Sequence, residues 1–207
     1  MGIADRARDA ARRASEAAQK GATQAREKGQ VTIRSIDVKR FDQSIELCWE
    51  VYNAAWERNW GFVPMTHGEF AHMGREMKPL LVPELAFTAD VDGKPAGFML
   101  VLPDFNLVAK RIPNGRLFPT GLIKLLLGKR RIRFGRIMAL GVKREYRRSD
   151  VFALLVDELY RRGMSYGMTK VEASWVLEDN ELMNRPMRAM GGKEYRRWRI
   201  YEKALRS

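Results

Sequence analysis

One stretch of the sequence constrains the fold more than any other. A strand pattern over residues 133–142 leads, within a few residues, into a helix pattern over residues 150–163. The first backbone N–H groups of a helix have no partner inside the helix, and together with the helix dipole they attract anions. The pattern therefore predicts an anion site where this strand ends and the helix begins. The helix pattern depends on apolar residues at helical spacing, namely Val151, Leu154, Leu155 and Leu159.

Strand and helix patterns alternate along the rest of the chain from residue 31, which predicts a mixed α/β domain. Asp92-Gly93 lies between two strand patterns and predicts a tight hairpin. Thr66 with Glu69 three residues later predicts a capping box at a helix start. Further strands are predicted at residues 31–34, 85–90, 95–102, 171–177 and 195–203, and further helices at residues 41–59, 66–79 and 180–190.

Two segments depart from this alternation. Residues 1–30 are rich in alanine and charge, and their alanines recur at helical spacing, so we expect a charged, Ala-rich helical tail ahead of the domain at 31–207. Small side chains bury little surface, so such a helix is marginal alone. Residues 104–131 form an insertion, which we expect to be a loop followed by a short helix.

The charge is concentrated in one part of the chain. The formal net charge is +13, and residues 108–148 contain thirteen basic residues and one acidic residue. Three interpretations stay open: a lid that attracts the phosphates of a cofactor or an acidic carrier protein, a basic amphipathic segment on an anionic membrane surface, and an ordinary solvated surface. A nucleic-acid surface is the least favoured, because strand alternation also explains the aromatic and basic residues at 195–199.

The remaining composition bears on disulfides, metal binding and cellular location. The single cysteine, Cys48, excludes an intramolecular disulfide and falls on an apolar helix face, so we expect a buried thiol. Two histidines without a Cys or carboxylate cluster give no zinc pattern, and no metal is expected. The N-terminal residues contain no apolar signal segment, and no apolar run approaches the length of a membrane span. We therefore expect a cytoplasmic protein without a transmembrane segment.

The strand–turn–helix stretch resembles motif A of the Gcn5-related N-acetyltransferase (GNAT) superfamily. It contains Leu140-Gly141-Val142 and then Glu145-Tyr146-Arg147 before the helix. Trp175 to Asn180, followed by Met190-Gly191-Gly192, is similar to the family's motif B, and the segment 59–64 resembles a poorly characterised bacterial branch. The resemblance covers residues 31–205. It implies a mixed, mostly antiparallel central sheet of about six strands flanked by helices, and acetyl-CoA or another acyl-CoA as the donor.

The resemblance also implies which residues hold the donor. In the family, the motif A strand bonds the pantetheine arm through its backbone, and the turn cradles the pyrophosphate. The residues implied here are Leu140, Gly141, Val142, Arg147, Arg148, Ser149, Asp150, Val151 and Phe152, with Asn180 organising the neighbouring strand. Asp150 and Phe152 stand where the family has glycines, and an aspartate adds a negative charge beside the pyrophosphate.

The usual proton carriers of the family do not map onto this chain. Arg136 stands where many members have a glutamate base, and Met187 stands where many have a tyrosine acid. Glu178 and Asp179 are the candidate bases, with helix capping as their alternative role.

The predicted function is acyl transfer from acyl-CoA to a small-molecule or peptide amine. Two alternatives stay open: a long-chain acyltransferase that uses an acyl carrier protein, and a non-catalytic GNAT-like binding module.

Overall fold

The computed structural model describes Glu16 and residues 31–203, except 113–115, 117 and 148. The predicted tail at 1–30 therefore lies outside the described residues apart from Glu16. The described chain divides after Trp175 into two compact units. The larger unit contains all the strands described below. The smaller one begins at Val176 and contains the last helix.

Five strands and six α-helices make up the described structure. The strands are β1 Val31–Ser35, β2 Ala86–Val91, β3 Lys94–Pro103, β4 Phe134–Val142 and β5 Lys170–Ala173. The helices are α1 Phe41–Trp56, α2 His67–Met77, α3 Asn106–Ala109, α4 Thr120–Gly128, α5 Val151–Tyr166 and α6 Glu181–Ala189. The strands form one sheet in the order β1-β2-β3-β4-β5. Neighbouring strands are antiparallel except β4 and β5, which are parallel. The predicted mixed, mostly antiparallel sheet is thus confirmed.

Local sequence signals account for several of these elements. Asp92 and Gly93 both have positive φ, at 48° and 77°, as the predicted tight hairpin requires. The capping box at α2 is present, because the amide of Glu69 donates to Thr66 Oγ1 at 3.3 Å and the amide of Thr66 donates to Glu69 Oε2 at 2.8 Å. These short-range interactions set where the β2–β3 hairpin turns and where α2 begins.

The sheet carries a hydrophobic core on each face, because its strand residues alternate between the two sides. Helix α5 covers one face, where Val151 and Leu155 pack with Phe87 and Met99. Helices α1 and α2 cover the other face, and their side chains pack around Phe98 and its neighbours on β3. The strand at 133–142 and the helix that follows it therefore belong to the centre of the fold.

Two predictions fail at the C-terminal end. The strand predicted at residues 171–177 ends at Ala173, and the strand predicted at 195–203 does not form. Trp198 and Ile200, whose alternation suggested that strand, are 69% and 67% exposed. An alternating pattern specifies which side chains share a face, but it does not supply the partner strand that a ladder needs.

Candidate active site

Strand β4 loses its β5 neighbour halfway along its length. The parallel pairing joins Phe134–Ile137 of β4 to Lys170–Ala173. The β3 partner then shifts in register, because Leu100 faces Ala139 whereas Val101 faces Ile137, which leaves Met138 as a bulge. From Met138 to Val142, β4 has β3 as its only partner strand among the described residues. This part of β4 is called the free edge below.

The free edge presents the backbone groups of alternate residues. The amide of Lys143 donates to the carbonyl of Ala96 at 2.9 Å, on the β3 side. In an antiparallel ladder the N–H and C=O of successive residues point to opposite sides. Those of Gly141 therefore point toward β3, and those of Leu140 and Val142 point toward the free edge. Of the three residues predicted to bond the pantetheine arm, two are oriented to do so through their backbone.

Gly141 instead provides close packing. A Cβ at this position would lie 2.5 Å from Cζ3 of Trp56 and 3.1 Å from Cβ of Ala55. The indole of Trp56 also stacks on Tyr52, with ring centroids 4.8 Å apart. The glycine thus lets the last turn of α1 lie directly against β4, where a side chain would hold it away.

The turn between β4 and α5 holds the predicted anion-binding residues. A short 3₁₀ helix at Arg144–Tyr146 is followed by Arg147, Ser149 and Asp150, and α5 begins at Val151. Asp150 occupies the N-cap position of α5, but its side chain caps no amide of the helix. Arg148 lies outside the described residues.

Side chains at the start of α5 pack in the hydrophobic core. Val151 is fully buried and Phe152 packs against the core of that face. A Cβ on Gly97 would lie 3.0 Å from Cγ1 of Val151, so α5 rests closely on β3. Only the backbone amides of Val151 and Phe152 are therefore available to a ligand at this turn.

Arg147 links the turn to the end of α1. Its guanidinium donates to the carbonyl of Ala55 at 2.9 Å and to that of Val142 at 3.4 Å. A cation at the C-terminal end of a helix also interacts favourably with the helix dipole. Arg147 therefore has protein partners already, although a guanidinium has five N–H donors and retains some for an anion.

An ion pair between a buried lysine and a half-exposed glutamate, which the sequence reasoning missed, lies beside this turn. Lys143 is 8% exposed and its ammonium pairs with the carboxylate of Glu50 on α1. The pattern of the sequence gave no signal for it, because the two residues are 93 positions apart. Together with Arg147, this pair fixes the end of β4 against α1.

The residue at the position of the family's usual base makes a structural hydrogen bond. Arg136 Nε donates to Ser174 Oγ at 2.5 Å, across the pairing of β4 with β5. A guanidinium stays protonated in proteins and accepts no proton, so Arg136 is not a general base.

The smaller unit contains the motif B residues from Val176 onward. Asn180 caps α6, since the amide of Met183 donates to its side chain at 3.3 Å. Glu178 pairs with Arg197 at 2.8 Å, so it does not cap the helix. The amide of Glu181 donates to the backbone carbonyl of Asp179 at 2.8 Å.

An apolar cavity of about 50 Å³ lies between α1, α2 and β3. Two of its lining residues, Phe98 and Leu100, are paired with Gly141 and Ala139 of the free edge. Cys48 also lines it, and burial raises the pKa of this thiol to about 12, in agreement with the predicted inert thiol. The remaining lining side chains include Ile36, Phe41, Ile45, Phe70, Met77 and Leu81.

The insertion lies at the other end of β4 from the turn. It connects Pro103 at the end of β3 to Phe134 at the start of β4, and these strand ends are paired through Pro103 and Gly135. At about 3.3 Å per residue, the nine residues of β4 separate this end from the turn by roughly 26 Å. Both ends of the insertion are therefore anchored at the end of β4 that lies away from the turn.

A sheet that opens between its fourth and fifth strands, with a helix starting at the end of the fourth, is the fold of the GNAT superfamily. The aminoglycoside N-acetyltransferase AAC(6')-Iy in complex with CoA superposes with a TM-score of 0.54 at 17% identity, over 84% of this chain and 95% of that protein. The same enzyme in complex with a CoA bisubstrate analogue gives a TM-score of 0.53. The predicted fold is thereby confirmed.

Two curated proteins are similar in sequence. Protein YghO of Escherichia coli is 38% identical over 183 residues, which cover 84% of this chain and 46% of that protein. A bacterial ceramide synthase of Caulobacter vibrioides is 34% identical over 181 residues, which cover 84% of this chain and 47% of that protein. The chain thus spans about half the length of the curated relatives it matches. A scan of family models gave no match.

Proposed function

We propose that this chain transfers an acyl group from acyl-CoA to an amine. The observation that carries the proposal is the free edge of β4 beside the start of α5, in a fold shared with a CoA-binding acetyltransferase. The free edge offers the N–H and C=O of Leu140 and the N–H of Val142 to the amides of a pantetheine arm, whereas the Val142 carbonyl already accepts from Arg147 at 3.4 Å. The turn offers N–H groups and positive charge to a pyrophosphate.

In the proposed complex, the backbone groups of Leu140 and Val142 bond the pantetheine arm. The amides of residues 150–152 bind the pyrophosphate, with Arg147 and Arg148 supplying charge, whereas the amide of Ser149 already donates to the carbonyl of Tyr146 at 3.0 Å. The amine nitrogen then attacks the thioester carbonyl, the N–C bond forms, and the C–S bond breaks. The thiolate leaves as free CoA after taking up the proton that the amine loses. Such a reaction runs largely on positioning, because two bound reactants replace a bimolecular encounter.

Asp150 is the feature of the turn that opposes this proposal. Two like charges about 4 Å apart repel by roughly 4 kcal/mol at an effective dielectric constant near 20. Arg147 offsets part of this repulsion at the same turn. Replacing the carboxylate should therefore strengthen binding if the pyrophosphate lies there, and should leave it unchanged if it does not.

Isothermal titration of acetyl-CoA into the wild type and the Asp150→Gly variant tests the site. We expect saturable binding by the wild type and about tenfold tighter binding by the variant, which corresponds to about 1.4 kcal/mol. Asp104→Gly, which removes a half-buried aspartate at the other end of β4, is the matched control. Absence of binding by both the wild type and Asp150→Gly contradicts a CoA site and favours the binding module.

Proton transfer is assigned by this proposal to Glu178 or Asp179, directly or through water. Glu178 is engaged by Arg197 at 2.8 Å, and the isosteric variants of Glu178 and Asp179 test the two carboxylates separately. Loss of about a hundredfold in kcat in Glu178→Gln or Asp179→Asn identifies the base. Unchanged kcat in both variants shows that positioning and solvent suffice.

A fatty acyl group and a long-chain amino alcohol are the substrates that one of the sequence relatives favours. One relative is named a bacterial ceramide synthase, and a ceramide is a long-chain amino alcohol whose amine carries a fatty acyl chain. The apolar cavity reaches within one strand spacing, about 4.8 Å, of the free edge through its β3 residues, and its volume of about 50 Å³ would have to enlarge to admit a fatty chain.

Acyl transfer rates measured with acetyl-CoA, palmitoyl-CoA and a palmitoylated acyl carrier protein distinguish the donors. We expect palmitoyl-CoA to be preferred with a sphingoid base as acceptor. Cys48→Met places a larger side chain in the cavity and leaves less room there, so it should shift the preference to shorter chains. Leu182→Met on α6 should leave the preference unchanged. Preference for acetyl-CoA and a polar amine would exclude the fatty substrate. Preference for the palmitoylated carrier protein would show that this protein, and not acyl-CoA, is the donor.

A further inference from the structure

Helix α4 in the insertion is apolar on its outward face as well as on its inward face. Its inward face packs closely, since a Cβ on Gly128 would lie 2.8 Å from Cγ2 of Val108 on α3. On the outward face, Ile123, Leu126 and Leu127 are 55%, 42% and 73% exposed. Because positions i, i+3 and i+4 share a helix face, these three side chains form one stripe.

Exposed apolar residues are ordinary when they are single, but a contiguous stripe marks a surface that binds something. Phe118, just before α4, is 72% exposed and adds an aromatic side chain to the same end of the molecule. The outward stripe together with Phe118 is called the apolar stripe below.

Positive charge surrounds the apolar stripe. Exposed cations precede α4, lie on it and follow it: Arg111, Arg116, Lys124, Arg130 and Arg131. The sequence contains no aspartate or glutamate between Asp104 and Glu145. Lys129 is the exception among the nearby cations, because its ammonium bonds the backbone carbonyl of Leu81. A helix with an apolar face and a cationic rim has the chemistry of segments that lie in the interface of an anionic bilayer.

We propose that α4 docks this chain on an anionic lipid bilayer, with Ile123, Leu126 and Leu127 among the lipid head groups and upper acyl chains. The cations at both ends of the helix contact lipid phosphates. Docking of this kind lies parallel to the surface and does not span the bilayer, and no helix among the described residues has the length and apolar character of a membrane span.

The position of α4 sets the orientation of the docked protein relative to the bilayer. The segment Lys129–Arg131 connects α4 to the start of β4, and the proposed nucleotide turn follows the end of β4. A bilayer at α4 therefore lies at the end of β4 opposite to the proposed CoA phosphates. This consequence rests on the proposed function: a lipid amine would enter from the bilayer, and the nucleotide from water.

A fluorophore on α4 tests the docking directly. Cys48 is buried, so a polarity-sensitive thiol reagent labels a Leu127→Cys variant at residue 127 in the folded protein. Vesicles of equal parts phosphatidylglycerol and phosphatidylcholine should shift its emission to shorter wavelength, and phosphatidylcholine vesicles should not. The Leu182→Cys variant, labelled on α6 where Leu182 is 66% exposed, is the matched control and should show no shift.

Sedimentation with the same vesicles gives the affinity. The Ile123→Glu/Leu127→Glu variant should lower the partition coefficient at least about tenfold, because it removes apolar area and adds like charge to the lipid. Arg130→Ala/Arg131→Ala should also weaken binding, and more so than removal of two exposed cations elsewhere in Lys39→Ala/Lys94→Ala. Circular dichroism and titration with acetyl-CoA verify that each variant folds and retains any CoA site.

Three results would overturn the proposal. One is an emission of the residue 127 label that anionic vesicles leave unchanged. Another is equal vesicle affinity of the wild type and the Ile123→Glu/Leu127→Glu variant. The third is a blue-shifted emission without vesicles that depends on protein concentration, which shows that a second copy covers the stripe. CoA binding is measured separately, so loss of the proposed function leaves the docking result intact.

Discussion

Replacing Gly141 by alanine perturbs the contact between β4 and α1 with a single methyl group. The new Cβ would lie 2.5 Å from Cζ3 and 3.0 Å from Cη2 of Trp56, and 3.1 Å from Cβ of Ala55. Carbon atoms in contact are ordinarily about 3.5–4.0 Å apart. Either the indole or the last turn of α1 must therefore move by a substantial part of an ångström.

The cost follows from how firmly Trp56 is held. Its ring stacks on Tyr52 and lies 6.1 Å from the ring of Phe98, so rotation away from β4 breaks other packing. Overpacking of a core by a methyl group costs about 1–3 kcal/mol. A change from glycine to alanine also lowers the conformational entropy of the unfolded chain, which offsets about 0.4–1 kcal/mol of this cost. The net loss in unfolding free energy should be about 1–2 kcal/mol.

Urea unfolding monitored by circular dichroism measures this loss, from the midpoint and slope of the transition. A double-mutant cycle with Trp56→Leu isolates the contact, because the smaller side chain makes room for the methyl group. Gly68→Ala is the matched control, since a Cβ there meets nothing within 4 Å. We expect Gly141→Ala to be costly in the wild type and nearly neutral in the Trp56→Leu background.

Two outcomes would refute the reasoning. Equal effects of Gly141→Ala in both backgrounds would show that Trp56 does not cause the cost. Unchanged stability of the single variant would show that α1 does not lie against β4 as described. Acetyl-CoA titration of the same variants then measures whether displacing the end of α1 also disturbs the proposed turn.

Three further predictions concern the elements around this contact. Glu50→Ala should cost about 1–2 kcal/mol in thermal unfolding and Lys143→Met clearly less, because only the first leaves the buried Lys143 ammonium without its half-exposed partner; equal costs would contradict the burial of Lys143. Thr66→Ala should cost about 1 kcal/mol by removing the cap of α2, and an unchanged midpoint in urea would show that Glu69 alone caps the helix. Cys48, whose thiol pKa burial raises to about 12, should not react with iodoacetamide at pH 8 until the protein is unfolded, as mass spectrometry will show.

Features of the fold that depend on near neighbours were predictable from the sequence. The Asp92-Gly93 turn and the Thr66 cap depend on residues a few positions apart, and both formed as expected. The strand at 195–203 did not form, because its alternation fixed faces without fixing a partner. The same reasoning explains why β5 ends at Ala173, since strand length depends on the neighbouring strand and not on local pattern alone.

Only those parts of the candidate site that are adjacent in sequence were predictable. Motif resemblance located Leu140, Val142 and the turn, which are adjacent in sequence. It did not predict that Gly141 faces Trp56, or that Arg147 bonds the carbonyl of Ala55, 92 positions away. Such contacts arise from the packing of α1 on the sheet, and a single sequence contains no periodic signal for them.

The short pairing of β5 also has a consequence for local unfolding. Only four residues of β4 pair with β5, and they pair in parallel, the weaker arrangement per residue. Backbone amides of β5 should therefore exchange with deuterium through small openings, whereas those of β3, paired on both sides and buried, should exchange only when the whole sheet unfolds. The strand that borders the free edge is thus the one least firmly held, and it can yield to an arriving ligand while the rest of the sheet stays closed.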